Sequence, residues 1–406
     1  MDRFALSYGE IAAIVTIVGG ILAAAYTLFR WGKSHGKTEG VIEGESTSRQ
    51  TIETMRTARD DAKHDLRTAR DEAKALRDHI EVLKSKTPEL DPKVKKLLEI
   101  RDKIAGDDIP LWRIHEAKPL PRYHELMRSM ALRVITVANE KGGVGKTTTV
   151  ANLAGFFDRK MKKRVLVIDL DHQGSSSTML LQAAGKKVES SLAEHLISGQ
   201  FDGKWVQQVA RDLSPALPRT RILTAVDIFA DFEERLMQRW VLGIVEDDVR
   251  YNLAKVLLSP EIQANYDTVL IDVGPRLTLG AINALVASTH LVVPTVLDQL
   301  AAERVGYFLK NASTFRDLFN PNLKLAGVLG TMTYQQRLTD NELDTLASVK
   351  ESLGIWGSGG HIFQQNIPRK QSLANSAGND VAYLRHNDIA RLFDRFGNEL
   401  MERLAA

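Results

Sequence analysis

The chain has 406 residues, 26% charged and 44% hydrophobic, which allows two or three domains and a core large enough to fold unaided. That balance excludes a disordered or collagen-like chain, and the absence of cysteine excludes disulfides, thiolate zinc sites, iron–sulfur clusters and cysteine nucleophiles. The net charge is +3, with 54 basic against 51 acidic residues, so bulk charge gives no support to nucleic acid as a partner and leaves only a local basic patch to the fold.

The run Ile11–Phe29 carries no charge between Glu10 and Arg30. At about 1.5 Å per residue, a helix of that length crosses the roughly 30 Å hydrocarbon layer of a bilayer. Tyr26 and Trp31 stand where interfacial aromatics belong, and Arg30, Lys33 and Lys37 follow at once. These features predict a transmembrane anchor over residues 1–40, with its span at about 11–29. By the positive-inside rule the protein is expected to be single-pass in the cell inner membrane, N-terminus out, with the remainder in the cytoplasm. A cleaved signal peptide is the competing reading, but it would place its basic residues before the apolar run.

Residues 41–86 hold no proline and alternate charges densely. TARDDAKHDLR (Thr57–Arg67) is followed directly by TARDEAKALRD (Thr68–Asp78), an approximate repeat whose period returns the same helix face with little drift. A heptad-like seam also runs from Ile52 to Leu83, broken at Arg59. The segment is expected to be a charged helical stalk, either a shallow coiled coil or a single solvated helix held by i,i+4 ion pairs. Prolines 88, 92, 110, 119 and 121 punctuate residues 87–130, which read as a connector with a short helix.

Residues 131–406 carry the chemistry. RVITVAN (Arg133–Asn139) is a β-branched apolar run of the buried parallel-strand kind, and EKGGVGKTTTVANLAGFF follows it directly. A strand, a glycine loop and an amphipathic helix in that order form a phosphate cradle. The loop at Gly142, Gly143, Val144 and Gly145 can curl its N–H groups around a polyphosphate, and the new helix turns its positive end to the same anion. Lys146 would neutralise the outer phosphates and Thr147 would offer its hydroxyl to Mg2+. RVLVIDLDHQGSSS (Arg164–Ser177) and YDTVLIDVGPRL (Tyr266–Leu277) are two further buried strands ending in Asp169, Asp171 and Asp272. Strand C-termini are where ligands of open α/β sheets bind, so these carboxylates are expected at the phosphates, with Asp272 holding Mg2+ through water. Strands at His290–Val296, Lys324–Thr331 and His361–Phe363 alternate with helical patterns at Ala301–Leu318 and Asn341–Leu353. The fold expected is α/β, a mostly parallel sheet flanked by helices.

KGGVGKTT (Lys141–Thr148) resembles, without a mismatch, the deviant Walker A loop of the ParA/MinD family of P-loop ATPases, and the resemblance covers about residues 133–400. It implies binding of ATP and Mg2+ and a homodimer with ATP sandwiched between two copies, in which Lys141 reaches the partner's phosphates. It implies catalytic roles for Lys141, Lys146 and Asp171, the last positioning the attacking water. It places Mg2+ near Thr147, Asp169 and Asp272, nucleotide against Gly142–Thr148, and the adenine near Pro368 in IPRKQSLANSAG (Ile367–Gly378). His172 and Gly274 stand where the family often has proline, and Val273 where it commonly has threonine. No arginine finger is evident beyond Arg276 and Arg304, so slow hydrolysis that gates an unidentified protein partner or spatial positioning is expected. A nucleotide-gated scaffold with little hydrolysis and a bacterial tyrosine autokinase remain as alternatives, although the chain carries no tyrosine after Tyr383.

Overall fold

A computed structural model describes residues 92–106, 110–334 and 338–405, together with Asp71, Lys74 and Asp78 of the expected stalk, which are helical and exposed. The apolar run 11–29 and the rest of the stalk lie outside the described residues. Among the described residues no helix is long and apolar enough to cross a membrane. The expected single-pass placement in the inner membrane, with the ATPase domain on the cytoplasmic side, is corrected on that finding.

The fold divides after Asp108. Ahead of that point lies α1 (Pro92–Gly106), which opens on proline and closes on glycine. Proline has its φ preset for a first helical turn, and glycine is favoured where a helix ends. Beyond it come α2 (Tyr123–Ser129), β1 (Arg133–Val137), α3 (Lys146–Gly155), β2 (Val165–Leu170), α4 (Ser175–Ala183), β3 (Arg211–Leu213) and β4 (Leu217–Leu223). The chain continues through α5 (Ile228–Val241), β5 (Thr268–Val273), α6 (Leu279–Ala287), β6 (His290–Val296) and α7 (Gln299–Phe319). It ends with β7 (Lys324–Thr333), α8 (Asp340–Ser352), β8 (Ile367–Pro368) and α9 (Asn387–Ala405), with shorter helices between.

The strands form one sheet in the order β3-β4-β2-β5-β1-β6-β7-β8, parallel throughout except for β3 against β4. VLVIDL in β2 and TVLIDV in β5 are buried at every position, as strands covered on both faces must be. Register then sets the site. Asp272 on β5 lies beside Asp169 on β2 and beside Val137, the last residue of β1 before the glycine loop.

Two local expectations change. HIF forms only a single parallel bridge, Ile362 to Val328, because the N–H groups of Gln364 and Gln365 go to the Glu399 carboxylate instead of a ladder. Residues 388–404 read in sequence as only weakly amphipathic and mixed with acidic residues, but the last helix buries Ile389, Leu392, Phe393, Phe396, Leu400 and Leu404 in the core. Its Gly397 lies so close to the Phe156 ring that a Cβ there would stand 2.5 Å from it.

Residues 110–118 belong to this same unit and are held to it by Arg250, a fully buried side chain. Its guanidinium donates to both oxygens of Asp248, at 2.7 and 2.6 Å, and to the carbonyls of Trp112, His115 and Glu116. It also lies 4.6 Å from the Trp240 ring centre and 4.5 Å from that of Phe319. Removing one partner of a buried ion pair strands the other charge. We therefore expect Arg250→Ala to lose about 3–5 kcal/mol in urea denaturation, and a loss no larger than that of a surface substitution would contradict this account.

Candidate active site

Asn139 fixes the start of the glycine loop: its Nδ2 donates to Pro294 O at 2.8 Å and its Oδ1 accepts from Lys141 N at 3.0 Å. Gly143 and Gly145 adopt φ of 72° and 84°, the left-handed region that other residues enter at a cost. A Cβ built on Gly142 or Gly143 would meet nothing within 4 Å. Packing inside the chain does not demand glycine there; the bare backbone faces open space, as a loop that receives phosphate oxygens must. The loop is tied to β7 by Thr331, whose hydroxyl donates to Val144 O at 2.9 Å. Thr148 continues the first turn of α3, its carbonyl accepting from Asn152 Nδ2 at 2.7 Å.

Lys146 opens α3 and is buried, with Nζ donating back to Lys141 O at 3.0 Å. Burial lowers its pKa, and the charges of Asp272 and Asp171 oppose that fall. Thr147 Oγ1 donates to Asp272 Oδ2 at 2.8 Å, and Ser176 Oγ donates to the same oxygen at 2.6 Å. The other oxygen of Asp272, Oδ1, is buried with no partner in the chain. An acceptor left bare beside a threonine hydroxyl and a phosphate cradle suits a cation held through water, so these residues fit Mg2+. Among the described residues no group of three or more His, Asp or Glu side chains could hold a metal unaided. Mg2+ commonly relies on one or two carboxylates plus substrate phosphates.

Asp169 differs. Its Oδ1 accepts from Asp171 N at 3.1 Å, and its Oδ2 accepts from Ser177 N at 2.8 Å and Ser177 Oγ at 2.7 Å. Burial raises the pKa of both Asp169 and Asp272, and the charge of Asp272 adds to the rise at Asp169. Asp171 stands at the edge of the site, its Oδ1 accepting from Gln173 N at 3.1 Å. A Cβ on Gly274 would come 3.2 Å from that oxygen, so the residue after Val273 gives Asp171 room. His172 Nδ1 lies 3.6 Å from the same carboxylate.

Lys141 points away from the cradle and pairs with Asp298 at 3.0 Å. Pro368 is the last residue of β8 and pairs with Thr333, two residues beyond the Thr331 that holds the loop. Arg276 and Arg304 are both exposed. The structure therefore gathers Lys146, Thr147, Asp169, Asp171 and Asp272 at the ends of β1, β2 and β5, while Lys141 lies at the rim and Pro368, on β8, three strands from β1.

Residues that a sequence reading passes over complete the site. Ser176 and Ser177 close the quoted run RVLVIDLDHQGSSS without being singled out there, although their spacing from Asp169 would bring α4 back over the strand end. Glu233, on α5, is buried and accepts hydrogen bonds from Thr278 Oγ1 at 2.8 Å and from Gly280 N. Burial pushes its carboxyl up to about 7, the charge of Asp171 adding to the push and the bonds from Gly280 and Thr278 opposing it. The folded chain thus holds this proton more tightly than the unfolded one, and stability from this group falls as pH rises from about 4.5 to about 7. Glu233→Gln cannot ionise and should gain on the wild type across that window, on the order of 1 to 3 kcal/mol. Urea melts of both proteins at the two ends of the window measure the difference, and parallel pH curves would contradict the assignment.

The family profile described as an AAA domain matches residues 132–325. The chromosome-partitioning ATPase Soj of Thermus thermophilus is 30% identical over 278 residues, which are 67% of this chain and 97% of that protein. An uncharacterised protein of Pseudomonas putida is 32% identical over 264 residues, 64% of this chain and 89% of its own length. Among solved structures, apo McdA from Cyanothece superposes with a TM-score of 0.54 at 19% identity, over 67% of this chain and 99% of that one, and shares the fold. Cobyrinic acid a,c-diamide synthase of Mycobacterium smegmatis gives a TM-score of 0.51 at 26% identity, over 66% and 94% of the two chains. With a phosphate loop, strand-end aspartates and a Soj relative matched over almost its whole length, this chain belongs to the ParA/Soj family of P-loop ATPases and hydrolyses ATP.

Proposed function

We propose that the chain binds Mg2+-ATP in the loop between β1 and α3, pairs with a second copy across the nucleotide, and hydrolyses ATP slowly. The ATP-bound dimer would gate a protein partner or the positioning of a cargo. The observation that carries this reading is the oxygen pair of Asp272, one atom shared by Thr147 and Ser176 and the other bare beside buried Lys146. Mg2+, when bound, supplies charge neutralisation between the phosphates. The chain's own residues do the remaining work. The glycine backbone and Lys146 hold the phosphates, Thr147 and Asp272 face the cation, and Asp169 braces Ser177 and the Asp171 backbone so that Asp171 can orient a water.

Catalysis of this kind is positioning plus electrostatics, with no covalent intermediate. Slow turnover is supported by the sequence, in which no arginine finger is evident beyond Arg276 and Arg304. Relatives named for chromosome partitioning favour an output in which a cargo is placed, and the balanced charge of this chain gives no support to nucleic acid as that cargo. An autokinase is disfavoured by Tyr383, the last tyrosine, whose ring packs on Gly155 and whose hydroxyl donates to Asp394 at 2.7 Å.

Phosphate-release assays on Lys146→Ala should show turnover reduced by about a hundredfold or more. Retained hydrolysis would end the reading, whereas partner capture surviving without hydrolysis would favour the scaffold alternative. Dimerisation has its own test. Asp298 occupies Lys141 within the lone chain, and a half-exposed pair is worth at most about 1 kcal/mol. Each dimer frees two such pairs, so light scattering with a non-cleavable ATP analogue should find Asp298→Asn dimerising at up to about thirtyfold lower concentration and Lys141→Ala remaining monomeric. A Lys141→Ala protein that dimerises like the wild type would remove Lys141 from the interface.

A further inference from the structure

The buried stripe of α5 reads Phe229, Glu233, Leu236, Trp240, a helical spacing at which an apolar residue would be expected in place of the glutamate. Burying a carboxylate is costly unless its bonds have a use. Those of Glu233 go to one place, the end of the loop that follows Asp272. Thr278 Oγ1 and Gly280 N both donate to its Oε1. Gly280 permits the approach, since a Cβ there would stand 2.8 Å from that oxygen. The near end of the same loop touches the site, with Gly274 against the Asp171 carboxylate.

The start of α5 is tied to the other side of the site. Ala225 N donates to Ser177 Oγ at 3.0 Å, and Ser177 Oγ donates to Asp169 at 2.7 Å. Gly174, at φ 60°, lies so near Ala225 O that a Cβ would be 2.5 Å from it. One helix and its leading turn therefore anchor both the turn that carries Asp171 and the loop that follows Asp272.

We propose that Glu233 is a positioning residue for ATP hydrolysis: through Thr278 and Gly280 it fixes residues 274–278 against Asp171, so that Asp171 and Asp272 keep their mutual geometry. This rests on the reading that Asp171 serves the hydrolysis step. A plain cap on α6 would affect stability alone; a positioning residue affects turnover.

Steady-state phosphate release by the full chain, measured against ATP concentration, separates the two. Glu233→Ala should lose about tenfold to a hundredfold in kcat while KM for ATP stays within about threefold. Glu233→Gln, which keeps an acceptor for both donors, should recover most of that loss. A Glu233→Ala protein turning over within about twofold of wild type would overturn the proposal, as would a glutamine variant no better than the alanine one. If the alanine variant does not fold, Thr278→Val decides, since it removes one donor and leaves the buried carboxylate. A several-fold fall in kcat at unchanged KM supports the role, and unchanged kcat overturns it. Asp171→Asn is assayed alongside. Full turnover in that variant sinks the reading of Asp171 on which the proposal rests, whereas loss there with none in Glu233→Ala or Thr278→Val sinks the role of Glu233 alone.

Discussion

Two carboxylates lie side by side at the ends of β2 and β5, out of water, and everything around them answers their repulsion. Asp169 and Asp272 are register partners, wholly buried, with Asp171 two residues further on. Burial raises the pKa of both, and like charge adds to it, from Asp272 at Asp169 and from Asp171 at Asp272. The compensations are Lys146, the Ser176, Ser177 and Thr147 hydroxyls, and backbone N–H groups. They are unevenly shared. Asp169 has accepted bonds at both oxygens, while Asp272 keeps one oxygen bare. That asymmetry separates a brace from a ligand. Of the two, Asp272 is the carboxylate with an acceptor to spare, which is why we propose it as the one that faces the cation.

The arrangement also accounts for the glycines. Lys146 can lie over the acids only if α3 starts where β1 stops, and the left-handed turns at Gly143 and Gly145 make that reversal short. Thr331 then pins the loop from the far side through Val144 O. The cradle is thus clamped between its own strand and β7, with open space beside Gly142 and Gly143. Donors on a loop fixed in advance cost no reorganisation at the moment of reaction.

Much of this was readable in the residues, for a physical reason. Parallel strands buried on both faces are short, continuous apolar runs, and VLVIDL and TVLIDV announce themselves along with the acids that end them. The glycine loop is a backbone device, so its spacing survives as a motif. What sequence could not show depends on partners distant in the chain. Glu233 looks like any charged residue of an amphipathic helix until α6 is seen to end on it, and Asp298 carries no local mark of its contact with Lys141. The hairpin of β3 and β4 hides because β4, LPRTRIL, lies next to the edge strand β3 and mixes exposed Pro218, Arg219 and Arg221 with its buried residues, so it is no continuous apolar run. HIF misled in the opposite direction. Its composition suits a strand, but Glu399, from a helix more than thirty residues on, takes the N–H groups that a ladder would need.

The two charged pairs set apart in this fold differ in kind, and the difference fits what each segment must do. Arg250 and Asp248 retain 0% and 2% of their side-chain exposure and meet through two hydrogen bonds, with every other guanidinium donor directed at the 112–116 backbone. Such a pair resists separation because either charge left alone would be stranded without water. It also lies over Trp240, at the end of the helix that carries Glu233, whose Val241 carbonyl accepts from His115 Nε2 at 3.0 Å. The 112–116 segment is therefore seated on the same helix that carries Glu233. Lys141 and Asp298 keep 26% and 46% exposure and share a single contact. Water can replace either partner at little cost, so this pair is suited to exchange and the buried one to permanence. The buried pair fits a segment held in place, and the exposed one fits the proposal that Lys141 leaves Asp298 for the phosphates of a second copy.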